Sequence, residues 1–189
     1  FRVFSKFFGS WQTTVFFERL FFIPDLQITW VPSAFLKCLS LIRSERIDTV
    51  ITSSPPESIH LIGLMLKRTE KVNWIADFRD LWTTKEVVNP PPTAVHKIIV
   101  RKIEHAIYKS ASHIIANTLG NSDIYVNQFG INREKISVIT NGFDPEEIEV
   151  LRRDVGAEKT VDLSIGYMGY FDKPGFPWQP FLNVIKKIC

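Results

Sequence analysis

Asp77, Arg79 and Asp80 follow directly on the apolar run Trp74-Ile75-Ala76, with Phe78 among them and Leu81-Trp82 behind. Carboxylates accept from hydroxyl groups, and a guanidinium is a planar fork suited to phosphate or carboxylate. A strand's period of two puts Asp77 and Arg79 on one side and Phe78 and Asp80 on the other. The same-side pair therefore either forms an internal ion pair or holds one polar ligand. Asp80 either caps a turn or joins that ligand, and Trp82 is either loop packing or a flat surface for a sugar ring. Ser53 and Ser54 form a second polar cluster at the end of another apolar run, ahead of Pro55-Pro56-Glu57. Ser54 reads as an N-cap, with Pro55 at the first helical position and Glu57 completing a capping box. Amides left open at such a helix start attract anions, and serine hydroxyls can donate to a sugar or phosphate.

Such clusters need an open α/β sheet, where ligands collect beyond the carboxyl ends of parallel strands. Apolar periodicity supplies one. Helical spacing runs from Val31 to Arg46, a β-branched strand from Thr49 to Ser53, and a helix follows with Leu61, Ile62, Met65 and Leu66 on one stripe. Asn73–Phe78 is the next strand, Ala94–Ser110 a helix, His113–Asn117 a strand, Ser122–Phe129 a helix and Ile136–Thr140 a fourth strand. This alternation with apolar strands predicts a parallel sheet with helices on both faces. Right-handed crossovers place every strand's carboxyl end on one edge. Asn117, ending its strand, either faces that edge or belongs to a structural turn. Asp144-Pro145-Glu146-Glu147 starts a helix leading into a linker, so a domain boundary is expected near residue 150, with 151–189 opening a second domain.

Composition narrows the partners. The 189 residues are 45% hydrophobic and 23% charged, ordinary for a globular chain, and a net charge of +3 is too mild to argue for nucleic acid. Cys38 and Cys189 make neither a disulfide framework nor a metal pattern, and a reducing, cytoplasmic setting is the expectation. His60, His96, His105 and His113 show no ligand spacing, so no metal is expected. His105, Arg101, Lys102 and Lys109 read as a solvated helix face, and Glu104 as a partner for neighbours within its helix. Residues 1–23 are crowded with Phe and Trp among Arg2, Lys6 and Arg19, fitting either a membrane face or a helix packed on a sheet. The chain opens on Phe1 and stops in a helical pattern after Phe181, so it is read as part of something longer.

Several words in order make a resemblance: Phe22-Ile23-Pro24-Asp25, Ile47 to Pro56, His60-Leu61-Ile62-Gly63, Trp74 to Thr83, and Asn141-Gly142-Phe143-Asp144. Together they resemble bacterial family 4 glycosyltransferases over roughly residues 20 to 185. The resemblance implies the GT-B fold, two Rossmann-like domains around a cleft. It also implies retaining transfer from a nucleotide sugar to a polysaccharide or lipid-linked acceptor, generally without metal or other cofactor. Residues 1–150 would then be the acceptor-side domain without its first strands, with Asp77, Arg79 and Asp80 in the catalytic region. Ser53, Ser54, Trp82 and Asn117 would bind the acceptor; Asn141, Gly142, Gly169 and Lys173 would serve the donor, although Lys173 equally suits a surface turn. A membrane-borne acceptor would place the protein peripherally at the inner face of the cell membrane.

The sequence departs from the family in two ways. Many members carry His-Asp where this chain has Arg79-Asp80, and arginine cannot serve as a general base because its pKa stays above about 12. The glycine-rich amino-terminal loop and the paired glutamates of the donor domain are outside the chain, so the piece alone is expected not to turn over. The competing expectation is a non-catalytic α/β binding or partner module on the same scaffold. A flavodoxin-like nucleotide-binding domain lacks the glycine-rich first loop it would require.

Overall fold

In a computed structural model the described residues are 18, 20–83, 92–154 and 178–188. A short 3-10 helix, Leu26–Trp30, leads into α1 (Val31–Glu45), β1 (Thr49–Ser54), α2 (Ile59–Glu70) and β2 (Asn73–Phe78). Then come α3 (Ala94–Ser110), β3 (His113–Ala116), α4 (Leu119–Phe129) and β4 (Ile136–Val138). The strands form one parallel sheet in the order β1-β2-β3-β4, flanked by helices, a Rossmann-like architecture. The chain separates into two compact units, 1–140 and 141–189, dividing ahead of the boundary expected near residue 150.

Alternation along the strands determines which residues reach the core. Trp74, Ala76 and Phe78 of β2 and Ile114 and Ala116 of β3 are fully buried. They meet Leu64 of α2, Ile107 and Tyr108 of α3, and Tyr125 of α4 in one cluster. Successive right-handed crossovers between adjacent strands bring all three helices to this face. The alternate set faces the other way: Ile51 is largely exposed, while Ser53, Ile75, Asp77 and Ile115 are partly covered. A second cluster joins α1 and α2 through Val31, Ile42, Ile62, Leu66 and Val72.

A buried hydrogen-bond chain ties β1, β2 and α2 together. The indole Nε1 of Trp74 donates to Thr52 Oγ1 at 2.8 Å, and that hydroxyl shares a 2.7 Å hydrogen bond with Nδ1 of His60. Gly63 makes room for the indole, since a Cβ there would lie 2.2 Å from Trp74 Nε1. At the opposite end of the sheet, Lys135 Nζ donates to the Tyr108 and Lys109 carbonyls that close α3, at 2.8 and 2.9 Å.

The helix expected to begin at Ser54 begins four residues later. Ser54 is the last residue of β1, buried at the core, and α2 starts at Ile59 with Ser58 at its N-cap. The Ser54–Glu57 capping box is therefore corrected: Asp25, 33 residues upstream of Ser58, accepts from the Ser58 amide through Oδ2 at 2.7 Å. Its Oδ1 accepts from the Gln27 amide at 3.0 Å, capping the 3-10 helix with the same carboxylate.

In the second unit, α5 (Pro145–Asp154) begins where the Asp-Pro-Glu-Glu pattern predicts. Asp144 caps it, accepting from the Glu146 amide at 2.9 Å. The last described element is α6 (Trp178–Ile188).

Candidate functional site

Parallel register places Ser53 opposite Asp77 and Ser54 opposite Phe78, with Ala116 on the far side of Phe78. The first two positions share the face turned away from the helices, and there Ser53 Oγ donates to Asp77 Oδ2 at 2.6 Å. This bond fixes one carboxylate oxygen along the sheet and leaves Oδ1 without a partner among the described residues. A carboxylate held by one hydroxyl keeps lone pairs for a further hydroxyl donor.

Arg79 does not pair with Asp77. Strand geometry ends at Phe78, and at the bend both the Arg79 amide and its Nε donate to the Ser54 carbonyl, at 3.4 and 3.3 Å. Anchoring Nε turns the guanidinium into a fixed fork, with Nη1 and Nη2 unpartnered among the described residues and the side chain exposed. On its other flank, Asn117 Nδ2 donates to the Arg79 carbonyl at 3.1 Å. Asn117 thus supports Arg79, while the adjacent Thr118 accepts from the Asn121 amide and starts α4. The carboxyl ends of β1, β2 and β3 consequently present Ser53, Asp77, Arg79 and Asn117 together.

The remaining expected residues are placed differently. Ser54 contributes its carbonyl rather than an exposed hydroxyl, because its side chain is buried. Asp80 is exposed at the bend, and Trp82 packs partly buried against the main core. Asn141 and Gly142 are exposed in the second unit, and Gly169 and Lys173 lie outside the described residues. The start of α2 is not an open anion site. Asp25 occupies the Ser58 amide, and the amides of Ile59, His60 and Leu61 donate to Pro56, Glu57 and Ser58 carbonyls.

Below the bend is a carboxyl group that sequence reasoning assigned to ordinary helix pairing. Glu104 of α3 is 1% exposed and accepts from the Tyr108 hydroxyl at 2.8 Å, from the Thr83 amide at 3.3 Å, and from the Thr83 hydroxyl. Thr83 ends the segment carrying Arg79, Asp80 and Trp82, so Glu104 ties that segment to the core. Burial raises the Glu104 carboxyl above its ordinary range, against the lowering effect of its hydrogen bonds to Thr83 and Tyr108. Burial also pushes up the Tyr125 hydroxyl, helped by the charges of Glu104, Asp80 and Asp77. The signal for Glu104 was its spacing: it shares the buried stripe of α3 with Ile107 and Tyr108. Asp25 had no comparable local signal, because its partner is distant in sequence.

The histidines serve separate structural contacts. His60 is fully buried beside Phe78, ring centroids 4.2 Å apart, and burial lowers its pKa to about 3. His96 Nε2 meets the Leu20 carbonyl at 2.9 Å, and His113 Nε2 meets Ser137 Oγ at 2.8 Å. Among the described residues no group of three or more His, Cys, Asp or Glu could hold a metal ion.

With the sheet edge in view, the sequence comparison is decisive: the profile of Glycosyltransferase Family 4 matches residues 6–147. The chain belongs to this family. No curated protein matches the chain. The family match spans both residue words that build the edge, Ser53-Ser54 and Asp77-Phe78-Arg79-Asp80, and it supports a glycosyltransferase-type function acting on sugar donor and acceptor substrates. Within this glycosyltransferase family 4 domain, Arg79 stands out, since its Nε is fixed by backbone and its two Nη groups are presented outward. Among the described residues no helix is long and apolar enough to cross a membrane.

Proposed function

We propose that this chain carries the acceptor side of a retaining hexosyl transfer from a nucleotide sugar to a polysaccharide or lipid-linked acceptor. The observation that carries the reading is the anchored fork: Arg79 Nε on the Ser54 carbonyl beside the Ser53–Asp77 pair, within a family 4 domain. Asp77 orients an acceptor hydroxyl through its remaining lone pairs. The two Nη groups of Arg79 hold charge on the departing phosphate or on an anionic acceptor, where a preorganised cation gains most as charge develops. Asp80 and Asn117 complete this edge, Asp80 as a further acceptor at the bend and Asn117 by holding the Arg79 backbone. Trp82 limits the acceptor's approach from the core side.

The donor falls to Asn141, Gly142, Gly169 and Lys173, a reading that rests on sequence resemblance alone, at Asn141-Gly142-Phe143-Asp144 and at Gly169-Tyr170-Phe171 ahead of Lys173. A membrane-borne acceptor accounts for the aromatic and basic residues of 1–23, and places the protein peripherally at the inner face of the cell envelope's membrane.

A screen of nucleotide sugars against saccharide and lipid-linked acceptors, run with the intact protein, tests the proposal. Transfer from at least one donor, with the anomeric configuration kept, is the expected result. Saturable saccharide binding with no transfer from any donor would replace the enzyme by a binding module.

A further inference from the structure

We infer that the outward face of α3 docks the protein on an anionic lipid surface. A helix advances about 100° per residue, so the face opposite the buried stripe of Glu104, Ile107 and Tyr108 runs through Val95, Ile98, Ile99 and Lys102. Soluble helices place polar residues there. This helix instead exposes Val95 by 62%, Ile98 by 54% and Ile99 by 38%. Continuing toward the carboxyl end, the exposed positions are Arg101, Lys102, His105 and Lys109. The helix's single acid, Glu104, is buried and turned to Thr83. Exposed aliphatic side chains in the amino-terminal half and cations in the carboxyl-terminal half, without an exposed acid on the same helix, are the pattern of an interfacial helix.

The Leu20 carbonyl extends the patch, because it meets His96 Nε2 and so brings the neighbouring Phe21 to the start of α3. Phe21 is 73% exposed, and an aromatic ring beside exposed aliphatics suits the headgroup boundary. Charge selects the occupant. Two copies of this face would set Arg101, Lys102 and Lys109 against their like, whereas an anionic leaflet attracts each of them. A nucleic acid would satisfy the cations but leave the neighbouring aliphatics against phosphate. The inference deepens the membrane-acceptor reading, resting on it for the purpose of docking and on the residues of α3 for the surface.

The test is co-sedimentation of the full chain with phosphatidylcholine vesicles, with and without phosphatidylglycerol, in the absence of any sugar substrate. The wild type should partition preferentially onto the anionic vesicles, more weakly as salt rises. Each cation near such a surface strengthens partitioning about fivefold, so Arg101→Glu with Lys102→Glu should weaken it at least about 25-fold. Val95→Ser with Ile98→Ser should weaken it about tenfold through lost apolar contact, with thermal unfolding unchanged because these side chains are exposed. Equal partitioning of wild type and both double variants overturns the inference, even if other residues hold the membrane. Concentration-dependent self-association or nucleic-acid binding abolished by these variants, without vesicle binding, overturns it equally. Since no donor or acceptor is present, a failure of sugar transfer would register separately.

Discussion

Glu104→Ala removes a carboxylate shared by three donors at the junction of core and site. Tyr108 is fully buried, so its hydroxyl would lose its Glu104 acceptor where water cannot replace it, costing about 1–3 kcal/mol. The Thr83 amide and hydroxyl are partly covered, and losing both bonds adds about 1–2 kcal/mol. The expected loss is about 3 kcal/mol, a large fraction of the roughly 5–15 kcal/mol that holds a domain together. Glu104→Gln keeps an acceptor for Tyr108 and offers Thr83 Oγ1 a donor, and should cost about 1 kcal/mol near neutral pH. The two substitutions also differ from wild type in pH dependence. Burial raises the folded carboxyl's pKa above its ordinary 4.5, so between the two values the folded chain holds more protons than the unfolded chain. The stabilisation is therefore complete below the unfolded value and is lost as pH rises through the folded one. Urea denaturation from pH 4.5 to 8 should show wild type gaining on Glu104→Gln as pH falls. An alanine variant within about 1 kcal/mol of wild type, or a wild-type advantage that grows with pH, would refute the buried-network argument.

Other expectations follow from the same contacts. Gly63→Ala drives a methyl group into the Trp74 indole and should cost about 1–3 kcal/mol or more, with an altered indole signal in near-ultraviolet circular dichroism; an unchanged melt would contradict the close approach. His60, with a folded pKa near 3, should show no imidazole titration by NMR between pH 5 and 8. Because only the unfolded chain then protonates it, this histidine should withdraw about 1.6 kcal/mol of stability as pH falls from 6.5 to 5. Asp25→Ala uncaps both the 3-10 helix and α2 and should cost about 1–2 kcal/mol, with faster amide exchange at Ser58 and Gln27 as the readout.

The sheet was legible because its strands and helices carry strong local periodicity: Val31, Ala94 and Ser110 bound their helices as the spacing predicts. The site was legible in composition but not in geometry. Arg79 was expected beside Asp77 on an extended strand, yet the chain bends after Phe78 and the guanidinium turns to the Ser54 carbonyl. Ser54 looked like a cap because serine before proline fits that role locally, whereas pairing with β2 keeps it in the sheet through its last position. Its place at the helix start is taken by Asp25, a contact 33 residues long that no window of sequence could reveal. Glu104 fell between these cases: its buried position followed from helical spacing, but its partner Thr83 belongs to a segment that only the tertiary fold brings near.

The central claim, that the carboxyl edge of β1–β3 carries sugar transfer through an anchored Arg79, is tested most directly by Arg79→Ala in the intact protein. Arg79 is exposed and makes no ion pair among the described residues, so the variant should fold and melt like wild type. Its transfer rate with the native donor and acceptor should fall about a hundredfold or more, the scale on which loss of one preorganised charge-stabilising group is felt. Unaltered turnover by a folded Arg79→Ala protein would contradict the account.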